Sequence, residues 1–394
     1  MSFDRIWVDN LEHLEELCAG WQTLDELAMD TEFIRTDTFY PRPALLQVGD
    51  GKACYLLDVL ALGRPECLLN LLVTGPLKIF HSCSEDLEML QHWLGVLPNP
   101  LVDTQLAVSL AEGDSAMGYQ RMVEKYLGVV LDKGETRSDW LQRPLTESQQ
   151  LYAAQDVEFL LPIWHQLKAK LEEKGLLSIL LEESRWLLEE AMEDHPEDAW
   201  QRCKQAWRLN ARQLAVLQRL ARWRDDRSRQ VDRPRNRVAS DVQLQVLAEK
   251  QPQGQDDFAE IVEIAPGWVK RYGREVIYEI KQALNIPKEL LPTPLSSPMG
   301  AEYKAARKQL KRAMINLASH LNVPVELLAR RKQTDDWLQA LAQKQLPEVP
   351  ENWPVWRRDA LEMLMKQLLL ETKQLETKQL ETKQTDNAVI EGES

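Results

Sequence analysis

Leu27-Ala28-Met29-Asp30-Thr31-Glu32-Phe33 is the stretch on which the reading of this chain turns. Five of its seven residues are apolar or β-branched, which reads as a strand. Residues two apart on a strand share a face, so Asp30 and Glu32 project together. Two carboxylates side by side repel each other unless a cation lies between them. By itself the pair reads more readily as two solvated acids at a strand end, because such pairs are common by chance. The surrounding sequence supplies the rest of a sheet. Ile6-Trp7-Val8 is a short strand, followed by a helix around Asn10 to Cys18. Ala44 to Val48 and Ala53 to Val59 flank the turn Gly49-Asp50-Gly51, a hairpin signal. Leu77 to Phe80 and Leu101-Val102 are further extended segments, with a helix from Ser84 to Trp93 between them. A hairpin followed by strand–helix alternation predicts an α/β domain: a mixed sheet flanked by helices.

Two more stretches carry acids at telling positions. In Phe80-His81-Ser82-Cys83-Ser84-Glu85-Asp86-Leu87, Ser82 and Glu85 have capping-box spacing, which places Asp86 in the first turn of a helix. The ordinary role of an acid there is to face the helix dipole. In Leu151-Tyr152-Ala153-Ala154-Gln155-Asp156-Val157, on a long helical pattern opening at Thr146, Tyr152 and Asp156 are four apart and share a face. The two alanines permit close packing against another element.

The composition is that of a globular protein, 44% hydrophobic and 28% charged over 394 residues. The apolar runs, such as Leu68 to Val73, are too short to span a membrane. Met1 to Arg5 has no basic region leading into an apolar one, so a secretory signal is not expected. Cys18, Cys54, Cys67, Cys83 and Cys203 are scattered and show no C-x-x-C spacing; they read as buried thiols of a reducing cytoplasm. The six histidines show no ligand spacing, and the phosphate-cradling G-x-x-x-x-G-K-[ST] loop is missing, so ATP-driven chemistry is not expected.

The net charge of −14 is unevenly spread. Residues 1–200 carry 15 Lys and Arg against 36 Asp and Glu, whereas residues 201–340 carry 26 against 16. Twelve of those basic residues lie between Arg202 and Arg237, where Arg219, Arg222, Arg224, Arg227 and Arg229 surround Trp223. Guanidinium groups beside an aromatic suit phosphate contact and base stacking, and a solvated helix face with Trp223 in the core is the plainer alternative.

Beyond residue 200 the strand signals stop and apolar residues recur at helical spacing, as in Leu214, Leu217, Leu220 and Ala221. A weak internal repeat aligns Leu244-Gln245-Val246-Leu247-Ala248 with Leu338-Gln339-Ala340-Leu341-Ala342, and Lys281-Gln282-Ala283-Leu284 with Lys366-Gln367-Leu368-Leu369. Two related all-α modules, over 201–290 and 300–372, follow from it. Residues 373–394 hold copies of Glu-Thr-Lys-Gln-Leu, a low-complexity tail expected to be disordered.

Taken in order and separation, the three acidic stretches resemble the three motifs of the DEDD exonuclease superfamily, in the branch with Tyr in its third motif. Asp30 through Pro41, Ser84-Glu85-Asp86-Leu87, Val102-Asp103-Thr104-Gln105, Leu131-Asp132-Lys133 leading to Asp139-Trp140-Leu141, and Pro144-Leu145-Thr146 further resemble the bacterial ribonuclease D family. The helical modules resemble the paired HRDC-type domains that this family shares with RecQ-type helicases. The resemblance implies a ribonuclease H-like fold for residues 1–200, with 3′→5′ exonuclease activity. It implies that Asp30, Glu32, Asp86 and Asp156 hold two divalent cations, Mg²⁺ or Mn²⁺. Asp30 would bridge both, Glu32 and Asp156 would serve the ion of the attacking water, and Asp86 the other. Tyr152 would orient that water. It implies RNA as partner, above all tRNA precursors with 3′ extensions, for a cytoplasmic monomer. A DNA exonuclease of the same superfamily and a non-catalytic RNA-binding scaffold are the alternatives. His81 is expected to be a packed strand-end residue, and Asp103 and Asp139 to be caps.

Overall fold

A computed structural model describes residues 3–132, 134–135, 138–192, 199–201, 203–295, 304–371 and 374. Lys133, Arg202 and the repetitive tail from 375 onward lie outside the described residues. The N-terminal portion begins β1 (Asp4–Val8), α1 (Leu11–Trp21), β2 (Glu26–Ile34), β3 (Arg42–Gly49) and β4 (Ala53–Asp58). It continues through α2 (Val59–Leu62), α3 (Glu66–Thr74), β5 (Leu77–Phe80), α4 (Ser84–Leu94) and β6 (Leu101–Asp103). Helices α5 (Thr104–Glu112), α6 (Tyr119–Leu127), α7 (Glu147–Glu158), α8 (Leu160–Glu173) and α9 (Leu177–Met192) complete it.

The strands form one six-stranded sheet in the order β1-β4-β3-β2-β5-β6. β2, β3 and β4 are antiparallel neighbours, whereas β1 joins β4 and β5 joins β2 in parallel. The sheet is therefore mixed, as the sequence predicts. Its two faces are covered by different helices. Ala28, Leu45, Cys54, Leu56, Ile79 and Val102 pack with residues of α5, α7 and α8. Leu27, Met29, Leu46, Val48, Leu57 and Phe80 pack with residues of α1, α3 and α4. β2 lies centrally and is covered on both sides, which explains its near-continuous apolar run.

Two local expectations are corrected. The helical pattern from Thr146 is two helices, divided at Phe159. Pro162 lacks an N–H, and its ring would collide with the carbonyl of Glu158 in an unbroken helix. Ser82 does not cap α4. It has a left-handed φ of 60°, and the helix starts after Cys83 with no cap from its own side chain. The Asp103 carboxylate instead anchors the turn entering α4, accepting from the N–H groups of Ser82 (2.8 Å) and Cys83 (3.1 Å). It caps α5, accepting from Gln105 N–H (2.8 Å).

The helical region runs α10 (Ala211–Gln230), α11 (Arg235–Val238), α12 (Asp241–Lys250) and α13 (Pro266–Leu284), then α14 (Lys304–Leu321), α15 (Val325–Leu328), α16 (Arg331–Ala342) and α17 (355–371). The second four repeat the long–short–medium–long order of the first. Among the described residues no helix is long and apolar enough to cross a membrane.

Candidate active site

β2 delivers the first two acids. Its pleat sends Ala28, Asp30 and Glu32 toward α7 and sends Thr31 to the opposite face. The register with β3 shifts between Glu32 and Phe33, a bulge that ends regular pairing just past the acids. α7 delivers Asp156 and Tyr152. It is anchored by a complete capping box in which Thr146 accepts from Gln149 N–H, and it lies close on the sheet because its buried face there is small. Gly49 permits the approach: a Cβ at that position would stand 3.1 Å from the Val157 carbonyl and 3.3 Å from Val157 Cβ.

Asp30, Glu32 and Asp156 converge, each offering a carboxylate oxygen within 4.8 Å of the others. Asp86 is not part of that tight group. It comes from the first turn of α4 on the far side of the sheet, and its Oδ1 accepts a hydrogen bond from the Thr31 hydroxyl. Thr31 thus holds the fourth acid from between the first two. The four remain close enough to perturb one another. Burial and then the neighbouring acids Asp86, Asp156 and Glu32 push Asp30 well above the ordinary carboxylate range. Burial, Asp156 and Asp86 push Glu32 up to about 9. Burial and Asp86 push Asp156 to about 8, and burial raises Asp86 to about 6 against the opposing hydrogen bond from Thr31. Such a group binds protons in the absence of another cation. Oxygen-only donors of this density suit a hard divalent ion, which would displace those protons. The residues present therefore fit a divalent metal.

Tyr152 is half-buried, with its ring 6.0 Å from that of Trp140. Burial, followed by Asp156, Glu32 and Asp30, raises its phenol further above an already high value, so it stays protonated and can donate. His81 packs at the end of β5 with Nδ1 3.0 Å from Thr104 Oγ1, and Asp139 accepts from Leu141 N–H (3.1 Å). Sequence reasoning passed over Thr31 and over Gln47, which pairs with Asp30 across the β2–β3 ladder. An alternation count at β3 would have flagged Gln47, a polar residue in a run otherwise apolar from Ala44 to Val48.

The arginines around Trp223 do not form one free stripe. Arg224 is 2% exposed and is held by Asp241 (2.6 Å) and the Ala239 carbonyl (3.2 Å), so it is not available to phosphate. Its position follows from helix phase: it lies seven residues after Leu217 and three after Ala221, on the core face. Arg219 pairs with Glu279 (2.7 Å), Arg227 with Glu275 (3.7 Å) and Arg229 with Asp225 (2.8 Å). Arg222 is the most solvent-facing of the five, its side chain 64% exposed beside Asp226 at 4.0 Å. Trp223 belongs to the core, its indole N–H donating to Glu275 (2.8 Å).

The chain matches the 3′-5′ exonuclease family over residues 5–172 and the HRDC domain family over residues 213–280. It is 38% identical over 361 residues to ribonuclease D of Pseudomonas paraeruginosa, covering 90% of this chain and 95% of that one. It is 35% identical to ribonuclease D of Escherichia coli over 360 residues, covering 90% and 95%. The crystal structure of Escherichia coli RNase D, an exoribonuclease involved in structured RNA processing, superposes with a TM-score of 0.83 at 34% identity, covering 94% of this chain and 99% of that one. On that footing the chain belongs to the ribonuclease D family and is a 3′-5′ exoribonuclease.

Proposed function

We propose that this enzyme trims the 3′ ends of structured RNA, tRNA precursors among them, releasing 5′-mononucleotides with the help of two divalent cations, Mg²⁺ or Mn²⁺. The observation that carries the reading is the convergence of Asp30, Glu32 and Asp156, with Asp86 close behind. A pair of such ions activates a water and stabilises the departing 3′ oxygen of an in-line phosphoryl displacement. The chain's own residues do the rest. Asp30, central among the four acids, would serve both ions; Glu32 and Asp156 would hold one, and Asp86, steadied by Thr31, the other. Tyr152 keeps its proton at Oη and orients the attacking water by a hydrogen bond. Outside the site, Arg222 leads Arg219, Arg227 and Arg229 as contacts for RNA phosphates. The enzyme works in the cytoplasm as a monomer, without ATP.

The test is cleavage of matched 3′-tailed RNA and DNA with Mg²⁺, with and without chelator. RNA should shorten from its 3′ end one nucleotide at a time, and chelator should stop it. Asp30→Asn should abolish cleavage, because the central ligand loses its charge. Tyr152→Phe should slow the rate by roughly 10²–10⁴-fold, the range of a positioned proton-handling group, while RNA affinity is retained. Near-normal turnover by Asp30→Asn would overturn the metal assignment, and a clear preference for the DNA would overturn the substrate.

A further inference from the structure

The site has a member that no motif announces. Gln47 sits directly opposite Asp30 in the antiparallel β2–β3 pairing. Residues so paired project to the same face, with Cβ atoms about 4.5–5.5 Å apart. Gln47 is fully buried, at 0% exposure, and among the described residues neither its amide nitrogen nor its amide oxygen has a hydrogen-bond partner. Its neighbours on β3 and β4 are apolar. Leu45 precedes it along β3, Leu56 pairs with it from β4, and Ala153 and Ala154 of α7 lie buried in the same core. A buried amide with no partner is costly, and leucine or methionine would fill such a place without that cost. The polar group set against it across the ladder is the carboxylate of Asp30.

We propose that Gln47 is a positioning residue for the metal centre. Its amide N–H donates to the Asp30 carboxylate from the sheet side once the site holds its cation, fixing the rotamer in which Asp30 faces the ion. The inference rests on the metal reading given under Proposed function. Residues that orient a metal ligand typically change metal affinity by about 10–100-fold when removed.

The experiment measures Mn²⁺ binding by calorimetry, with no RNA present, on the parent chain, Gln47→Leu, Gln47→Met and Asp30→Asn. Both Gln47 variants should bind Mn²⁺ about 10–100-fold more weakly than the parent. Their metal-free melting temperature should equal or exceed the parent's. Cleavage by both should recover toward the parent's rate as Mn²⁺ is raised, a rescue that a packing defect would not show. Gln47→Met keeps the length of the side chain, so it carries the test if Gln47→Leu fails to fold. Parent-like Mn²⁺ affinity in either folded variant would overturn the role of Gln47 and leave the metal site standing. A parent that binds no Mn²⁺, with an active Asp30→Asn, would overturn both.

Discussion

The two helical modules share an order of elements and differ in how they meet the catalytic domain. The first, α10 to α13, closes a core of its own around Leu217, Leu220, Leu247, Val276 and Ile280. It touches the loop after β2 through polar and aromatic contacts. Asp232 accepts from the N–H groups of Phe39 and Tyr40, both at 3.0 Å, and the guanidinium groups of Arg229 and Arg235 lie 4.8 and 4.6 Å from the Phe39 ring. The second, α14 to α17, has no separate core. Leu310, Met314, Trp337, Leu361 and Met365 are continuous with the core under α5, α7 and α8. At the seam, Arg357 lies 4.6 Å from the Trp186 ring and 4.3 Å from that of Trp353, 3.6 Å from Glu183, and Trp356 donates to Glu183 (3.0 Å). The difference teaches that the same helical template serves once as a lobe held by charges and once as part of the catalytic domain's own interior. It revises what the charge distribution suggests. A chain ending near Trp200 would keep every proposed catalytic residue but expose apolar surface on α9 that the second module buries.

The sharpest way to break the comparison is at the second seam. At about pH 8, where Glu183 is ionised, Glu183→Ala leaves the Arg357 guanidinium buried without its counter-charge and should cost about 3–5 kcal/mol in urea unfolding. Combining Glu183→Leu with Arg357→Met should restore most of it, since replacing both members of a buried pair by apolar groups is often neutral. A single-variant loss below about 1 kcal/mol would show that the seam is not a tight interior.

A smaller effect separates the seams by pH. Burial pushes Glu183 up to about 7 despite Arg357, so the folded chain retains this proton where the unfolded chain has lost it. Its contribution is full below about pH 4.5 and is lost as pH rises to about 7. Asp225 behaves oppositely. Burial would raise it, but hydrogen bonds from Arg235 and Arg229 outweigh that and hold it below the ordinary range. Its contribution is present above about pH 4 and is lost as pH falls below that. Hydrogen exchange corrected for intrinsic rates should show α9 better protected at pH 5 than at pH 8. Protection in α10 should be flat across that range and fall only under stronger acid. Parallel profiles would remove the distinction.

The smallest effect concerns RNA. Arg222→Ala should leave melting unchanged and reduce the salt slope of log affinity for single-stranded RNA by about 0.7, one phosphate contact. Arg224→Met should alter stability and leave that slope intact. An unchanged slope for Arg222→Ala would make the first module's basic face a solvated surface.

Much of this was legible in the sequence, for identifiable reasons. β2, the Gly49-Asp50-Gly51 hairpin and the Thr146 cap are written in local chemistry, and the five site residues lie in short motifs at distinctive separations. What was misread depends on partners distant in sequence or on phase. Ser82 has the spacing of a cap, but its left-handed backbone and a bond from its N–H to Asp103, on another strand, hold it in the turn before α4 instead. Arg224 was counted as charge when its helix phase already pointed inward. Gln47 was invisible because its meaning lies across a ladder, not along a strand.

Asp30, Thr31 and Glu32 serve two faces of one strand from three consecutive residues. That arrangement has a hereditary consequence. Exchanging Thr31 for serine leaves every neighbour where it was and keeps a hydroxyl for Asp86. Gaining or losing one codon between Ala28 and Glu32 inverts the strand's pleat relative to its neighbours. The two acids would then point among Met29's former companions, Leu46, Val48 and Phe80, and a threonine would face α7 in their place. This short stretch therefore constrains reading length more severely than residue identity.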